Sequence, residues 1–153
     1  MDMNYFKDEF SLEMTDGTKM TLERLKKENF VLYFYPKDNT SACTLEALGF
    51  AELYDEFREQ GFHIYGVSKD TLKSHEKFRE KNNLPYHLIS DVDKVLLEWF
   101  DVIKEKKMYG KLVKGTERST FIYMEGLVLK QVFRNVKAKD HAKEVLDYII
   151  VKC

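Results

Sequence analysis

The residues best suited to chemistry fall in one short segment, Tyr33-Phe34-Tyr35-Pro36-Lys37-Asp38-Asn39-Thr40-Ser41-Ala42-Cys43-Thr44-Leu45-Glu46. An apolar, aromatic run stops at Pro36, a short polar loop follows, and Cys43 falls at the predicted N-terminus of a long helix. Unpaired backbone N–H groups and the helix macrodipole favour an anion at such an end. A thiol there is expected to release its proton more readily, and thiolate is the reactive form of cysteine. Thr40, three residues earlier, can bring a hydroxyl to the same turn and donate to the thiolate or to a bound oxygen. On helix position alone, a small buried hydrophobe stands beside a nucleophile as a reading of Cys43.

Other candidates carry less. The second cysteine, Cys153, follows the last predicted helix and stands 110 positions from Cys43. Two such cysteines make no CxxC pair, no disulfide framework and no zinc cluster on their own. His63, His75, His87 and His141 are scattered over different predicted elements with no HxxxH pair, so they read as solvated or partly packed, and no metal is expected. Lys104, Lys106, Lys107, Lys111 and Lys114 lie among acidic neighbours and read as an exposed loop rather than a nucleic-acid site. There is no Gly-rich phosphate loop.

The elements that must position these groups follow from periodicity. Residues 10–22 alternate apolar and polar around Asp16-Gly17, a hairpin signal, and a short helix is predicted over 22–27. Phe30–Tyr35 is a continuous apolar run, as in a strand covered on both faces. Residues 43–59 read as a helix, Phe62–Ser68 as a second buried strand, and 71–82 as a charged helix with Ser68 or Asp70 as N-cap. A short strand over 86–89, a helical segment over 92–100, a hairpin around Glu125-Gly126 and a final helix near Ala138–Ile149 complete the order. Alternating βα units followed by a hairpin and a helix predict a mixed central sheet with helices on both faces, a thioredoxin-like α/β fold with an N-terminal β-hairpin.

The composition bounds the partners. The chain has 153 residues, 44% hydrophobic and 33% charged, which predicts a single globular domain over 1–153. Its net charge of −1 supplies no global field for nucleic acid or an anionic membrane. No run approaches the length of a membrane span. The acidic start, Met1–Glu9, lacks the apolar core of a signal peptide, so a reducing, cytoplasmic setting is expected.

Pro36, Thr40 and Cys43 reproduce the PxxxTxxC signature of the peroxiredoxins, with Glu46 also matching, and Glu117-Arg118-Ser119-Thr120-Phe121 resembles the strand that carries that family's active-site arginine. The similarity continues through Gly66–Asp70, Ser74-His75, Leu84–Tyr86, Ile89–Asp91 and His141–Leu146, and is closest to the bacterioferritin-comigratory, or Q-type, subfamily. The resemblance implies that Cys43 is the peroxidatic thiolate, attacking a hydroperoxide and becoming a sulfenic acid. It implies that Arg118 favours the thiolate and stabilises charge on the breaking O–O bond, and that Thr40 and the Cys43 N–H hold the peroxide in line. Pro36 would shield the thiolate, and Glu46 would orient Arg118. No metal, haem or flavin is implied. A monomer or weak dimer is, with thioredoxin, glutaredoxin or a small thiol as reductant.

The subfamily often has a resolving cysteine five residues after the peroxidatic one. Leu48 stands there, so that internal disulfide is impossible. Ser41-Ala42 replace a turn that is often Pro-Gly, and Asp101 stands where glycine is common. Cys153 is then a possible resolving residue beside the external thiol. Two other classes remain: a thioredoxin-like disulfide reductase, opposed by the lack of CxxC, and a non-catalytic thioredoxin-fold binding or chaperone module, which has no need of Thr40, Cys43 and Arg118 together.

Overall fold

The structure is a computed structural model describing residues 4–153; the first three residues of the acidic N-terminal stretch lie outside the described ones. A two-stranded hairpin comes first, β1 (Ser11–Glu13) and β2 (Lys19–Thr21), with Ser11 opposite Thr21 and Glu13 opposite Lys19. Its turn needs Gly17, whose φ of +81° lies in the left-handed region. Helix α1 (Leu22–Lys26) follows directly, capped by the Thr21 hydroxyl accepting from the Arg24 N–H.

The main sheet combines β3 (Asn29–Phe34), β4 (Phe62–Ser68), β5 (His87–Ser90), β8 (Ser119–Met124) and β9 (Val128–Phe133) in the order β5-β4-β3-β8-β9. Strands β3, β4 and β5 run parallel, while β8 and β9 are antiparallel to their neighbours. This is the mixed sheet that the βα alternation predicts, with helices on both faces. Side chains of β3 alternate between two cores. Val31, Tyr33 and Tyr35 face a core shared with α2 (Ser41–Glu52), α3 (Tyr54–Glu59), α4 (Leu72–Lys81) and α6 (His141–Lys152). Phe30, Leu32 and Phe34 face a second core shared with the N-terminal hairpin, α1 and α5 (Val95–Trp99).

The structure differs from the sequence-based expectations at three places. The helix expected over 43–59 is two, α2 and α3, broken at Leu53. Phe50 and Phe57 stand seven residues apart and share a face in either case, so their spacing hides the break. The N-cap of α4 is Thr71, accepting from the Ser74 N–H; Ser68 and Asp70 bond to each other instead. The lysine-rich stretch is not a loop but a two-stranded ribbon, β6 (Ile103–Met108) and β7 (Lys111–Thr116), closed by a tight turn at Tyr109-Gly110 with both φ positive. A ribbon solvated on both faces leaves no alternation for a sequence reading to detect. No described helix is long and apolar enough to cross a membrane.

Candidate active site

Arg118 brings Cys43 and Glu46 together beyond the carboxyl end of β3, where open α/β sheets place their ligands, while Pro36 and Thr40 lie in the loop that leads from β3 into α2. Proline donates no backbone bond, so after Tyr35, whose N–H donates to the Val67 carbonyl (3.1 Å), the chain leaves the sheet. It re-enters as α2 with Thr40 as N-cap and Cys43 in the first turn. The antiparallel register pairs Phe34 with Ser119, which sets Arg118 just past the end of β3 and brings it to Cys43 from 75 residues away.

Arg118 forks between two partners. Nη2 donates to Cys43 Sγ at 3.4 Å and Nη1 donates to Glu46 Oε1 at 2.8 Å. Cys43 and Glu46 lie one turn apart on the inner face of α2, so one guanidinium spans both. Cys43 is 2% exposed and the Glu46 side chain is fully buried. Burial pushes the Glu46 carboxyl up to about 7 against the opposing pull of Arg118. Burial works against the Arg118 charge too, but Glu46 and Cys43 outweigh it and hold the guanidinium above its ordinary value. Glu46 Oε2 is buried with no hydrogen-bond partner among the described residues, which makes it the natural seat of a proton.

Thr40 gives α2 no side-chain cap bond. Its hydroxyl donates to the Lys37 carbonyl (2.9 Å) rather than to the sulfur, and the residue is exposed. The first turn of α2 carries no acidic side chain, so its free N–H groups remain available to an anion. Cys153 is exposed at the end of α6, and Leu48 is exposed on α2.

Two buried networks support this surface, and sequence reading missed both. In the first, Tyr86 OH donates to the Ala47 carbonyl at 2.9 Å and so accepts from Tyr33 OH at 2.7 Å, pinning the middle of α2 to the sheet. Gly66 makes room: a Cβ there would meet the Tyr33 ring and Leu88 at 2.8 Å. In the second, Asp38 Oδ2 accepts from Ser74 Oγ (2.8 Å) and faces His75 Nδ1 (2.7 Å), while Oδ1 accepts from Tyr35 OH (2.6 Å). His75 Nε2 faces the Ile89 carbonyl at 3.0 Å and must carry a hydrogen, since a carbonyl only accepts. The Asp38 N–H donates to Asp70 Oδ2 at 3.0 Å. Asp38, Asp70 and His75 cluster closely enough to suggest metal ligation, but both imidazole nitrogens are already engaged, so the group serves as a hydrogen-bonded clamp on the Pro36–Thr40 loop. His75 and His141 are thus buried, not solvated. His141 bonds Thr120 Oγ1 (2.7 Å) and Glu144 Oε1 (3.0 Å), the latter an i,i+3 pair that the HxxE spacing itself makes legible.

Fold and site together define a protein that holds a cysteine sulfur against a guanidinium at a strand-to-helix turn. Residues 6–132 match the AhpC/TSA family. Peroxiredoxin Bcp of Xanthomonas campestris is 48% identical over 136 residues, covering 88% of this chain and 84% of that protein. Peroxiredoxin Bcp of Bacillus subtilis is 45% identical over 139 residues, covering 90% and 88%. A structure of the Xanthomonas campestris bacterioferritin comigratory protein, from work on its alkyl peroxide reduction, aligns with a TM-score of 0.87 at 44% identity, over 93% of this chain and 90% of that one. The chain belongs to the AhpC/TSA family as a peroxiredoxin, a thiol peroxidase using a peroxide and a thiol reductant.

Proposed function

We propose that Cys43 is the peroxidatic residue, reducing hydrogen peroxide and organic hydroperoxides, the latter in keeping with the alkyl peroxide reduction of the Xanthomonas campestris relative. The observation that carries this reading is the Arg118 fork, with one arm on Cys43 Sγ and the other on Glu46. The thiolate attacks the terminal peroxide oxygen, an S–O bond forms as the O–O bond breaks, and the departing alkoxide or hydroxide takes a proton to leave as alcohol or water. Arg118 and the free N–H groups of α2 stabilise the charge moving onto the departing oxygen. Thr40 lines the approach, Pro36 covers the sulfur, and Glu46 orients Arg118.

The sulfenic acid then returns to thiol through an external reductant, thioredoxin, glutaredoxin or a small thiol, in two exchanges that release water and a disulfide. Cys153 is the second, weaker choice. Helix α6 begins at His141, beside Thr120 and two residues from Arg118, and runs 12 residues to Lys152. That is about 18 Å of helix, against Cα separations of at most ~7 Å in a disulfide. A monomer or weak dimer suits a site assembled from one chain, and the two unpaired cysteines suit a reducing, cytoplasmic setting.

Cys43→Ser should abolish peroxide consumption while circular dichroism stays native. Undiminished second-order peroxide reduction by that variant would remove Cys43 from the reaction.

A further inference from the structure

The β6–β7 ribbon is the feature that peroxide chemistry leaves unexplained. Its fourteen residues carry five lysines and one glutamate, a local charge of +4 in a chain whose total is −1. It pairs only with itself, and residues 105–114 are exposed without interruption. Lys104 is tied to Asp101 at 3.0 Å, but Lys106, Lys107, Lys111 and Lys114 have no ion-pair partner among the described residues. The tip is apolar as well as basic: Met108 is 56% exposed, Leu112 71% and Tyr109 100%.

The register settles how these groups are displayed, since residues paired across an antiparallel ribbon share a face. Met108 opposite Lys111 and Lys106 opposite Val113 lie on one face; Lys107 opposite Leu112 and Glu105 opposite Lys114 lie on the other. Both faces therefore carry an apolar side chain flanked by ammonium groups, with Tyr109 at the turn. A protein partner would bury one face and leave the other apolar row wet, and a narrow tip offers little of the roughly 800 Å² that a stable partner covers. A second copy of this chain meeting it tip to tip would bring +4 against +4. A lipid headgroup layer entered end-on satisfies both faces at once: lysines pair with phosphates while Tyr, Met and Leu reach the acyl boundary.

We infer that the β6–β7 ribbon is a docking tip for an anionic phospholipid surface, holding the peroxidase against the bilayer through Lys106, Lys107, Lys111 and Lys114 around Met108, Tyr109 and Leu112. The partner is the surface, not the substrate. The inference does not rest on the roles given to Cys43 and Arg118, because the ribbon touches none of the reacting atoms.

Sedimentation with vesicles tests it. The full chain should pellet with phosphatidylglycerol–phosphatidylcholine vesicles in equal parts at low salt, stay in solution with pure phosphatidylcholine, and be released by salt. Lys106→Glu with Lys107→Glu should weaken partition roughly tenfold or more, and Tyr109→Ser with Leu112→Ser should weaken it at unchanged charge. Both double variants should reduce hydrogen peroxide at the parent rate, which shows that they fold. No pelleting of the parent chain at low salt would overturn the inference, as would equal pelleting with neutral vesicles or partition that ignores both double variants. Self-association through the tip, or binding of duplex DNA in preference to vesicles, would assign the ribbon to another partner and overturn it equally.

Discussion

The two oxygens of Glu46 have different surroundings, and the site's pH response follows from them. Oε1 accepts from Arg118, while Oε2 is buried and unpartnered. Burial raises the folded-state pKa from 4.5 to about 7. An acid whose pKa rises on folding adds stability that is full below its unfolded value and fades as pH climbs through the folded one. The contribution of Glu46 is therefore complete below pH 4.5 and lost by about pH 7. Glu46→Gln keeps an acceptor for Arg118 and removes the titration. Urea midpoints at about pH 5 and about pH 8 should differ less for this variant than for the parent; an unchanged difference would place the titration elsewhere. Arg118→Ala removes the only side chain that donates to the sulfur among the described residues, and peroxide reduction should fall roughly 10²–10³-fold, read by stopped-flow against hydrogen peroxide.

Between residue and fold lie the loop and the helix that carry the sulfur. Helix α2 is anchored at its middle by Tyr86 on the Ala47 carbonyl, and the loop before it is anchored by Asp38 on His75. Asp38→Asn puts an amide NH2 in place of one of the carboxylate oxygens that take up Tyr35, Ser74 and His75, and a buried polar group left unsatisfied in this way costs about 1–3 kcal/mol. Unfolding by urea should show that loss, and peroxide reduction should slow even where the variant stays folded, because the loop sets the approach to Cys43. The elements themselves were legible in the sequence: the Phe30–Phe34 run, the stop at Pro36 and the hairpin turn at Gly17 each leave a local mark. Pro36, Thr40, Cys43 and Glu46 were legible as a motif because they share one segment. Arg118 needed the family resemblance, since only the register of Phe34 with Ser119 brings it near. The Asp38–His75 clamp was not legible: its partners stand 37 positions apart, and a histidine's burial depends on which carbonyl it meets. The β6–β7 ribbon reads as a loop in the sequence because its lysines mask a pairing that buries little.

At the scale of the whole molecule, distance is what weighs against Cys153 as the thiol that completes the proposed cycle. Cys153 sits at the far end of α6 from the His141 turn that neighbours Arg118. Cys153→Ser should turn over at the parent rate with excess dithiothreitol, and mass spectrometry after one equivalent of peroxide should find no Cys43–Cys153 linkage in the parent chain. A stoichiometric linkage would make Cys153 the resolving residue. The same architecture bears on the order of events. Cys43 is 2% exposed, beneath a helix start that its N-cap threonine leaves without a side-chain bond. A peroxide is small enough to reach a sulfur so enclosed; a protein dithiol, which must line up behind the S–O bond, is not. On the roles proposed above, oxidation uses the wound first turn of α2, where Arg118 reaches Sγ, and reduction by a protein would need that turn opened. The two half-reactions would then pull on one helix start in opposite senses, at an N-cap threonine that contributes no side-chain bond to hold it wound.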